Sequence, residues 1–424
     1  MLRKVYTLLW LAALPFLPLR LWWRGRREPG YRAHIGERFG KNLPPVRPPL
    51  LWIHAVSLGE TRAAAPLVDR LKRDYPDATL LLTHMTATGR AAGQSLFGDR
   101  VVRAWLPYDI PFAVRAFLRH FRPCAGMLME TELWPNLIAE ASDAGVPMFL
   151  VNARLSARSA ARYARVPALT RPMLAALAGI AAQTDPDAAR LAMLGARVPA
   201  VTGNMKFDVA VPESALAHGR AMRRRFGQAR PVWVAGSTRE GEEALILDAL
   251  AVRPLAADML TVIVPRHPQR FAAVAQLLRE RRIAFVCRSE NGVVPAGVGV
   301  VLGDSMGEML SYYAAADVVF IGGSLLPLGG QNLIEPIAVG RPTLVGRHMF
   351  NFAEATENAL AAGAVLQVSD AKALLDTVAA LLGDPARRSA LGDAARAFHA
   401  VHRGAADRLW DWLAPRLAAL EFKR

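Results

Sequence analysis

The sequence predicts an α/β protein made of two doubly wound, Rossmann-like parallel sheets. Its 424 residues exceed what one ordinary core holds and fit two domains of typical size. Along the chain, short runs that are apolar on both faces alternate with helical patterns, which indicates parallel strands covered by helices on both sides. The alternation stops at a basic stretch, Arg220 to Arg230, and then starts again. We therefore expect two similar lobes joined near residues 208–227.

The N-terminal segment, Val5 to Trp23, is apolar apart from Arg20, and arginines follow it up to Arg27. A helix needs about 20 apolar residues to cross a bilayer, so two prolines and Arg20 make this a borderline span or an interfacial anchor. A cleaved signal peptide is the alternative, but no small-residue cleavage site precedes the arginines. The positive flank places the main body on the cytoplasmic side. Residues 1–27 are thus predicted to anchor the protein to a membrane.

Residues 28–210 are predicted to form the first Rossmann-like domain. Its expected strands are "LLWIHAVS", "ATLLLTHMT", "AGMLMETEL", "VPMFLVNARLS", "GIAAQT" and "VPAVTGN". A helix from Gly59 to Arg73 is expected after the first strand. Another helix is expected to begin at Pro135, because proline is favoured at the first helical position.

Residues 211–424 are predicted to form the second Rossmann-like domain. Its expected strands are "PVWVAGST", "MLTVIVPRH", "IAFVCRS", "GVGVVLGD", "ADVVFIGGS" and "RPTLVGRH". An amphipathic helical pattern from Pro385 to Leu420 is expected to complete this domain.

The charge balance predicts anionic partners. The formal net charge is +16, and arginine carries nearly all of the excess. Such a balance fits a membrane surface, a phosphorylated substrate or nucleic acid. Nucleic acid is disfavoured, because basic residues are not clustered with aromatic ones and no reading helix is recognisable. The two cysteines, Cys124 and Cys287, form no CxxC and predict neither a metal site nor a disulfide framework, which fits a reducing cytosol.

Ligands of doubly wound sheets bind beyond the carboxyl ends of the strands, so polar residues there are candidates for a site. In the first domain these are Glu60 in "HAVSLGE", Glu130 and Glu132 in "METEL", Arg154 in "VNARLS" and Lys206 in "GNMKFD". A carboxylate at Glu60 could accept a proton from an attacking hydroxyl. The alternative is an ordinary acid in a first helical turn, where the helix dipole favours it. Glu130 and Glu132 could be a solvated loop pair, but if they lie in a cleft one pKa should be raised.

In the second domain the strongest local pattern is the glycine-rich "GGSLLPLGGQNLIEP", which follows a strand and is expected to enter a helix at Gln331 or Asn332. Such a loop can bring backbone N–H groups against a phosphate, although glycine also serves ordinary flexible loops. Glu335 could accept hydrogen bonds from a ribose, and Arg266 in "VPRHPQRF" could donate to a phosphate. "GDSMGEM" is a further strand-to-helix loop that could add amides. "TDPDA" contains the D-x-D pattern of some metal sites. Its two aspartates with a proline between them are typical of a helix start, so no metal is expected there.

Seven motifs in this order, "HAVSLGE", "METELWPN", "VNARLS", "GNMKFD", "PRHPQRF", "GDSMGE" and "GGSLLPLGGQNLIEP", resemble the Kdo transferases, which attach 3-deoxy-D-manno-octulosonic acid (Kdo) to a lipid A precursor. The resemblance covers nearly the whole chain. It implies a GT-B architecture, in which two Rossmann-like domains face a cleft. It also implies CMP-Kdo as donor, a tetraacyl disaccharide bisphosphate as acceptor, no metal or cofactor, and a place on the cytoplasmic face of the inner membrane.

The resemblance also implies roles for individual residues. Glu60 would be the general base, and Glu130 and Lys206 would stabilise the transition state. CMP would be bound by Arg266, His267, Gly307, Glu308, Met309, Asn332, Leu333, Ile334 and Glu335. No role for Glu132 or Arg154 follows from it. The sequence leaves the oligomeric state open.

Two other functions remain open at the level of sequence. A GT-B enzyme or an epimerase that uses a nucleotide diphosphate sugar would share the fold, and competition by CMP against UDP would distinguish it. A non-enzymatic membrane scaffold would share the anchor and the basic surface, but it has no need of acids at strand ends.

Overall fold

A computed structural model describes residues 2–26, 28–209 and 211–420, and the chain folds into two compact units. The first unit consists of the chain up to Asp208 together with the segment from Arg403 onward. The second unit is Val209–His402. Each unit is built around one seven-stranded sheet, so the predicted pair of doubly wound parallel sheets is confirmed.

The sheet of the first unit has the strand order β3-β2-β1-β4-β5-β6-β7, and all of its neighbouring strands pair in parallel. Its strands are β1 Leu50–His54, β2 Thr79–His84, β3 Val102–Trp105, β4 Ala125–Met129, β5 Met148–Ala153, β6 Gly179–Ala182 and β7 Ala200–Val201. The central strands β1 and β4 are buried along their whole length, as expected for a parallel sheet covered on both faces. The edge strand β3, within "VVRAW", was not predicted from the sequence.

The sheet of the second unit has the order β10-β11-β9-β8-β12-β13-β14 and is also parallel throughout. Its strands are β8 Val232–Thr238, β9 Leu260–Pro265, β10 Phe285–Cys287, β11 Val300–Leu302, β12 Val318–Ile321, β13 Thr343–Val345 and β14 Val365–Gln367. The short edge strand β14 is an addition to the predicted set.

Helices connect the strands and cover both faces of each sheet. In chain order they are α1 Leu2–Ala13, α2 Leu17–Arg24, α3 Leu58–Ala63, α4 Ala65–Asp74, α5 Ala87–Phe97, α6 Pro111–Phe121, α7 Pro135–Asp143, α8 Ala157–Ala164, α9 Pro167–Ala175, α10 Asp185–Met193, α11 Glu213–Phe226, α12 Glu242–Val252, α13 Phe271–Glu280, α14 Met309–Ala315, α15 Ile334–Ala338, α16 Ala353–Ala361, α17 Ala371–Gly383, α18 Pro385–His402 and α19 Ala405–Ala418.

Two predicted helices are broken in the structure. The helix expected from Gly59 to Arg73 is divided into α3 and α4, which meet at Ala64, two residues before Pro66 in the first turn of α4. The pattern from Pro385 to Leu420 is divided into α18 and α19 by Gly404, whose φ of +80° lies in the left-handed region that favours glycine. A short 3₁₀ helix, Met205–Phe207, follows the edge strand β7.

The C-terminal helix belongs to a different unit from the one predicted. The sequence prediction placed residues 211–424 in the second domain, but α19 packs in the first unit. Leu409, Leu413 and Leu417 of this helix are buried in the core cluster that covers one face of the first sheet. Asp208 accepts hydrogen bonds from the backbone N–H groups of Gly404 and Ala406, which fixes the start of the helix. The apolar stripe that the sequence shows therefore covers the first sheet.

The N-terminal helices lie against the first unit along one side. Leu17 and Leu21 of α2 are buried, and Tyr6, Thr7 and Trp10 of α1 are partly covered. These positions recur three or four residues apart, so they form one face. The opposite side exposes large apolar side chains: Leu8, Leu9, Phe16, Leu19, Trp22 and Trp23. In the described part of the chain, Leu2–Arg24 is the one segment of 23 residues that is long and apolar enough to cross a membrane.

Candidate functional site

In each sheet the strand order reverses once, and the carboxyl ends of the two strands at that point are where doubly wound folds bind ligands. In the first unit the reversal lies between β1 and β4, and in the second between β8 and β12. Most of the predicted site residues follow these strands or their neighbours. The residues at the two reversal points differ in kind.

Glu60 lies in the first turn of α3, just beyond β1, and is 8% exposed. Its carboxylate accepts hydrogen bonds from the Val56 N–H at 2.8 Å and from the Ser57 hydroxyl at 2.9 Å. Ser57 in turn caps the helix by accepting from the Glu60 N–H. By themselves these two hydrogen bonds favour the charged carboxylate and would lower its pKa. Instead burial, followed by the nearby charges of Glu130 and Glu132, raises the pKa of Glu60 to about 7.

Glu130 is the first residue after β4 and has a left-handed backbone with φ +58°, which is uncommon for a residue other than glycine. Its N–H donates to the Val151 carbonyl at 3.1 Å, so the backbone is fixed to the neighbouring strand. Lys206 Nζ lies 2.6 Å from Glu130 Oε1. The structure thus brings three predicted residues, Glu60, Glu130 and Lys206, to the same edge of the first sheet.

Lys206 is carried by the short 3₁₀ helix after β7. The Asn204 side chain accepts from the Lys206 N–H at 2.9 Å, and the Asn152 side chain at the end of β5 accepts from the Met205 N–H at 3.0 Å. Asn152 is fully buried and has a φ of +51°. These two asparagines were not singled out from the sequence, although they fix the backbone that presents Lys206.

Glu132 lies beside the same group without contacting Glu60 directly. Its Oε2 accepts from the Trp134 Nε1–H at 2.7 Å and lies 3.8 Å from Nε2 of the buried His54. His54 Nδ1 is within hydrogen-bond distance of the Thr83 hydroxyl, at 2.9 Å. Glu132 is therefore held in place by its neighbours, and the alternative of a freely solvated loop residue does not apply to it.

In the second unit the glycine-rich segment after β12 is held by a buried acid that the sequence did not reveal. Glu242, at the start of α12, is fully buried, and its carboxylate accepts from the N–H groups of Arg239, Gly323, Ser324 and Leu325 at 2.5 to 2.9 Å. Two acids at the start of a helix are readily explained by the helix dipole, so no local pattern indicates that Glu242 lies under a loop.

Close backbone packing explains the first glycine of that segment. A Cβ at Gly322 would lie 2.5 Å from both the Ser237 carbonyl oxygen and the Thr238 Cα, so no larger residue fits. Gly329 and Gly330 have φ values of +95° and +73°. The helix α15 begins at Ile334, two or three residues later than expected. These glycines precede it, and the Asn332 side chain accepts from the Ile334 N–H.

Arg266 and His267 directly follow β9. The Arg266 N–H donates to the Thr238 carbonyl at the end of β8, and its Nε donates to the Gln331 side chain at 3.2 Å. Arg266 thus lies against the glycine-rich segment. The pKa of His267 is lowered by burial and then by the charges of Arg239 and Arg266.

The remaining predicted residues lie in two loops of the second unit. Glu308 pairs with Arg288 at 2.9 Å and accepts from the Ser305 hydroxyl at 2.5 Å, between Gly307 at φ +78° and Met309, the first residue of α14. In the other loop, Asn332 Nδ2 donates to Glu335 Oε1 at 3.0 Å, and Leu333 and Ile334 are buried. Glu335 therefore has an oriented carboxylate in the first turn of α15.

Within residues 2–26, 28–209 and 211–420, no group of three or more His, Cys, Asp or Glu residues is placed to hold a metal ion. Asp187 of "TDPDA" is buried; it accepts from the Thr184 hydroxyl and from the Leu155 N–H. It serves the helix start, in line with its interpretation from the sequence.

The chain is similar in sequence to 3-deoxy-D-manno-octulosonic acid transferases. A family model described as 3-deoxy-D-manno-octulosonic-acid transferase (kdotransferase) matches residues 33–209. The 3-deoxy-D-manno-octulosonic acid transferase of Bordetella pertussis is 48% identical over 97% of this chain and 99% of its own length. The protein of the same name from Haemophilus influenzae is 39% identical over 98% of this chain and 99% of its own length.

A crystal structure of UDP-GlcNAc 2-epimerase from Neisseria meningitidis bound to UDP-GlcNAc covers 86% of this chain and 99% of its own chain, with a TM-score of 0.58. Its sequence identity to this chain is 15%, so this likeness concerns the fold alone.

Proposed function

This chain belongs to the Kdo transferase family of glycosyltransferases, and from that premise we propose that it transfers Kdo from CMP-Kdo to a sugar hydroxyl of a tetraacyl lipid A precursor. The observation that carries the proposal is the buried carboxylate of Glu60, placed beside Glu130 and Lys206 at the reversal point of the first sheet. The donor, the acceptor and the roles of the individual residues are parts of this proposal.

Glu60 is the general base. A sugar hydroxyl has a pKa far above neutrality, so it needs a positioned carboxylate to take its proton as the bond to the anomeric carbon forms. A base works best when its own pKa lies near the operating pH, and that of Glu60 is raised to about 7. Proton transfer of this kind contributes about 100- to 10,000-fold to a rate.

Lys206 and Glu130 stabilise charge in the transition state. The Lys206 ammonium supplies a fixed positive charge, and the 2.6 Å contact with Glu130 fixes its position. A charge that is already oriented needs no reorganisation when negative charge develops during the reaction. The left-handed backbone of Glu130 supports a functional role, because strained residues persist where the surrounding structure over-determines them.

The second unit binds the nucleotide. Arg266 donates charge-assisted hydrogen bonds to the phosphate of CMP, with His267 beside it. Gly307, Glu308 and Met309, and Asn332 with the three residues after it, complete the CMP site. The leaving group carries one phosphate monoester, so its charge can be met by Arg266 and backbone amides, and the reaction needs neither a chelating metal nor a cofactor.

The N-terminal helices hold the enzyme in the interface on the cytoplasmic side of the inner membrane. One side of α1 and α2 lies on the first unit, and the other exposes large apolar residues such as Leu8 and Leu9. A helix that is attached along one side to a folded unit fits an interfacial anchor. The surplus of positive charge adds attraction to an anionic lipid surface, where the acceptor remains.

The direct test is to incubate the purified full-length protein with CMP-Kdo and the tetraacyl acceptor and to measure the product mass. We expect the acceptor to gain the mass of Kdo, and we expect the yield to be unchanged when EDTA is present. We also expect CMP to inhibit the reaction and UDP to fail. No Kdo adduct together with stabilisation by UDP would instead identify an enzyme for a nucleotide diphosphate sugar.

A further inference from the structure

We propose that Glu132 is a positioning residue for Glu60, and that the N-terminal helix α1 holds Glu132 in place through Trp134. This inference rests on the proposed role of Glu60 as base. It connects the N-terminal segment to the Glu132 carboxylate by direct contacts, and Glu132 acts on Glu60 through its charge.

Among the described residues, Glu132 accepts one hydrogen bond, the 2.7 Å contact from Trp134 Nε1–H. His54 Nε2, at 3.8 Å, is too far away for a second one, and this buried nitrogen has no other hydrogen-bond partner among the described residues. The position of the Glu132 charge therefore depends chiefly on Trp134. That charge acts on Glu60, where it opposes ionisation of the base.

Trp134 is in turn packed against α1. The rings of Trp10 and Trp134 lie 6.5 Å apart between centroids, and Trp10 also contacts Tyr108 at 5.7 Å. Aromatic pairs at such distances contribute to packing beyond the area that they bury. An indole that loses this contact can turn, and its Nε1–H then no longer fixes Glu132.

Polar contacts fix α1 in the same place. The Thr7 hydroxyl donates to the Asn136 side chain at 3.1 Å, and Tyr6 lies beside the buried Asp109 carboxylate. Asp109 also accepts from the N–H groups of Asn136 and Leu137, at 3.0 and 2.7 Å. These residues start α7 directly after Trp134. The helix is therefore attached to the segment that carries the indole, which a simple hydrophobic anchor would not require.

Several ionisable groups of the first unit lie around Glu60 and bear on its pH profile. Among the described residues they include Glu130 and Glu132 after β4, Lys206 after β7, His54 on β1, and His84 at the end of β2, behind Thr61. Tyr163 of α8 also faces Glu132. Burial lowers the pKa of His84 to about 3, so it remains neutral and does not contribute to a profile near neutrality.

The test is the pH dependence of kcat/KM for the full-length protein in detergent with a detergent-solubilised acceptor, so that membrane attachment plays no part. Glu132→Gln removes a negative charge, and we expect the acidic limb to move down by about half a pH unit, about a threefold gain in relative rate well below the pKa. Trp134→Phe removes the indole donor, and Trp10→Ala removes the packing that orients it. Trp134→Phe and Trp10→Ala should each lower the pH of the acidic limb, but by less than Glu132→Gln does. Trp10→Phe keeps an aromatic ring at this position and should cause the smallest shift.

The control is Leu9→Ala, which changes an exposed apolar residue of the same helix, 66% exposed, and should leave the profile unchanged. The double variant Trp10→Ala, Glu132→Gln should show no shift beyond that of Glu132→Gln alone, because both changes act through one charge. A profile unmoved by Trp10→Ala would exclude α1 from the site. A profile unmoved by Glu132→Gln would exclude Glu132 as well.

A second readout does not depend on turnover. The ¹⁵N–H resonance of the Trp134 indole, assigned by its loss in Trp134→Phe, should shift in both Trp10→Ala and Glu132→Gln and stay in place in Leu9→Ala. If the wild-type protein fails to transfer Kdo, the proposed function is wrong, and this resonance still decides whether α1 orients the indole. If the chemical shift of the Trp134 indole is unchanged in Trp10→Ala, the inference is wrong, whether or not the protein transfers Kdo.

Discussion

The two units share a fold but use a buried glutamate in opposite ways at the same place. Glu60 follows the strand at the reversal point of the first sheet and receives two hydrogen bonds at its carboxylate. Glu242 follows the equivalent strand of the second sheet and receives four, all from backbone N–H groups. Burial opposes ionisation, whereas each donated hydrogen bond favours it. The Glu60 carboxylate, with its pKa raised to about 7, is suited to exchange a proton, whereas the Glu242 carboxylate ties a loop to the start of α12 through its hydrogen bonds.

The largest effect that tests this contrast is expected at Glu60. Glu60→Gln removes the proton acceptor and keeps the shape, so we expect kcat to fall by about 100- to 10,000-fold. The affinity for CMP, measured by titration calorimetry, should remain unchanged. Glu60→Asp, which keeps a carboxylate but withdraws it, is the matched control and should retain more activity than Glu60→Gln. Unchanged turnover in Glu60→Gln would remove this residue from the chemistry.

The reciprocal change is Glu242→Gln in the second unit. One carboxylate oxygen becomes an amide that cannot accept from the two N–H groups it now faces, and each unsatisfied buried group costs about 1–3 kcal/mol. We expect a clear fall in the free energy of unfolding of the second unit and a weaker CMP affinity. Glu240→Gln changes a neighbouring acid with an 87% exposed side chain and should be neutral. If Glu242→Gln kept its stability and lost only turnover, both glutamates would act in the reaction, and the contrast between a catalytic and a structural glutamate would be wrong.

The Arg266→Ala variant tests whether the second unit contributes to CMP binding but not to proton transfer. Arg266→Ala removes a charge-assisted hydrogen-bond donor. We expect this to cost about 1.5–3 kcal/mol of binding free energy, or roughly 10- to 100-fold in CMP affinity. The control Arg253→Ala removes an equal charge from an exposed pair with Asp376 in the same unit. The acidic limb of the pH profile should be unaffected in both variants. A shifted limb in Arg266→Ala would mean that the two units share the proton-transfer step.

The smallest effect is expected for Ser57→Ala, which should shift the pH profile of kcat/KM. A general base is active as a carboxylate, and the pKa of Glu60 is raised to about 7, so kcat/KM should be high above this pH and fall about tenfold per pH unit below it. Ser57→Ala removes a hydrogen bond that favours the charged form, so the limb should move to higher pH. That direction is opposite to the one expected for Glu132→Gln. A limb near pH 4 would show an exposed carboxylate of ordinary acidity.

The grouping of Glu60, Glu130 and Lys206 follows from the sequence, because parallel strands bring their carboxyl ends to one edge. The two sheets follow likewise from continuous apolar runs. Edge strands β3 and β14 were missed, since short, partly exposed segments carry a weak pattern. Glu242 could not be recognised, because two acids at a helix start need no tertiary partner to explain them.

The attachment of α1 was equally hidden. Beyond Arg3 and Lys4 at its start, its sequence is mostly apolar, so periodicity does not distinguish the face that lies on the protein from the face that lies in lipid. Tyr6, Thr7 and Trp10 are ordinary interfacial residues by type. Their partners, Asp109, Asn136 and Trp134, lie about 100 or more residues away in the chain. Only the tertiary structure reveals such pairs.

The return of α19 to the first unit has a consequence for synthesis on the ribosome. One face of the first sheet is covered by Leu409, Leu413 and Leu417, which are translated only after the whole of the second unit. The first unit therefore cannot complete its core when its own strands emerge, and it must wait while the whole of Val209–His402 is made. A nascent chain halted before residue 403 would present an uncovered apolar face, and this is where a co-translational chaperone would bind.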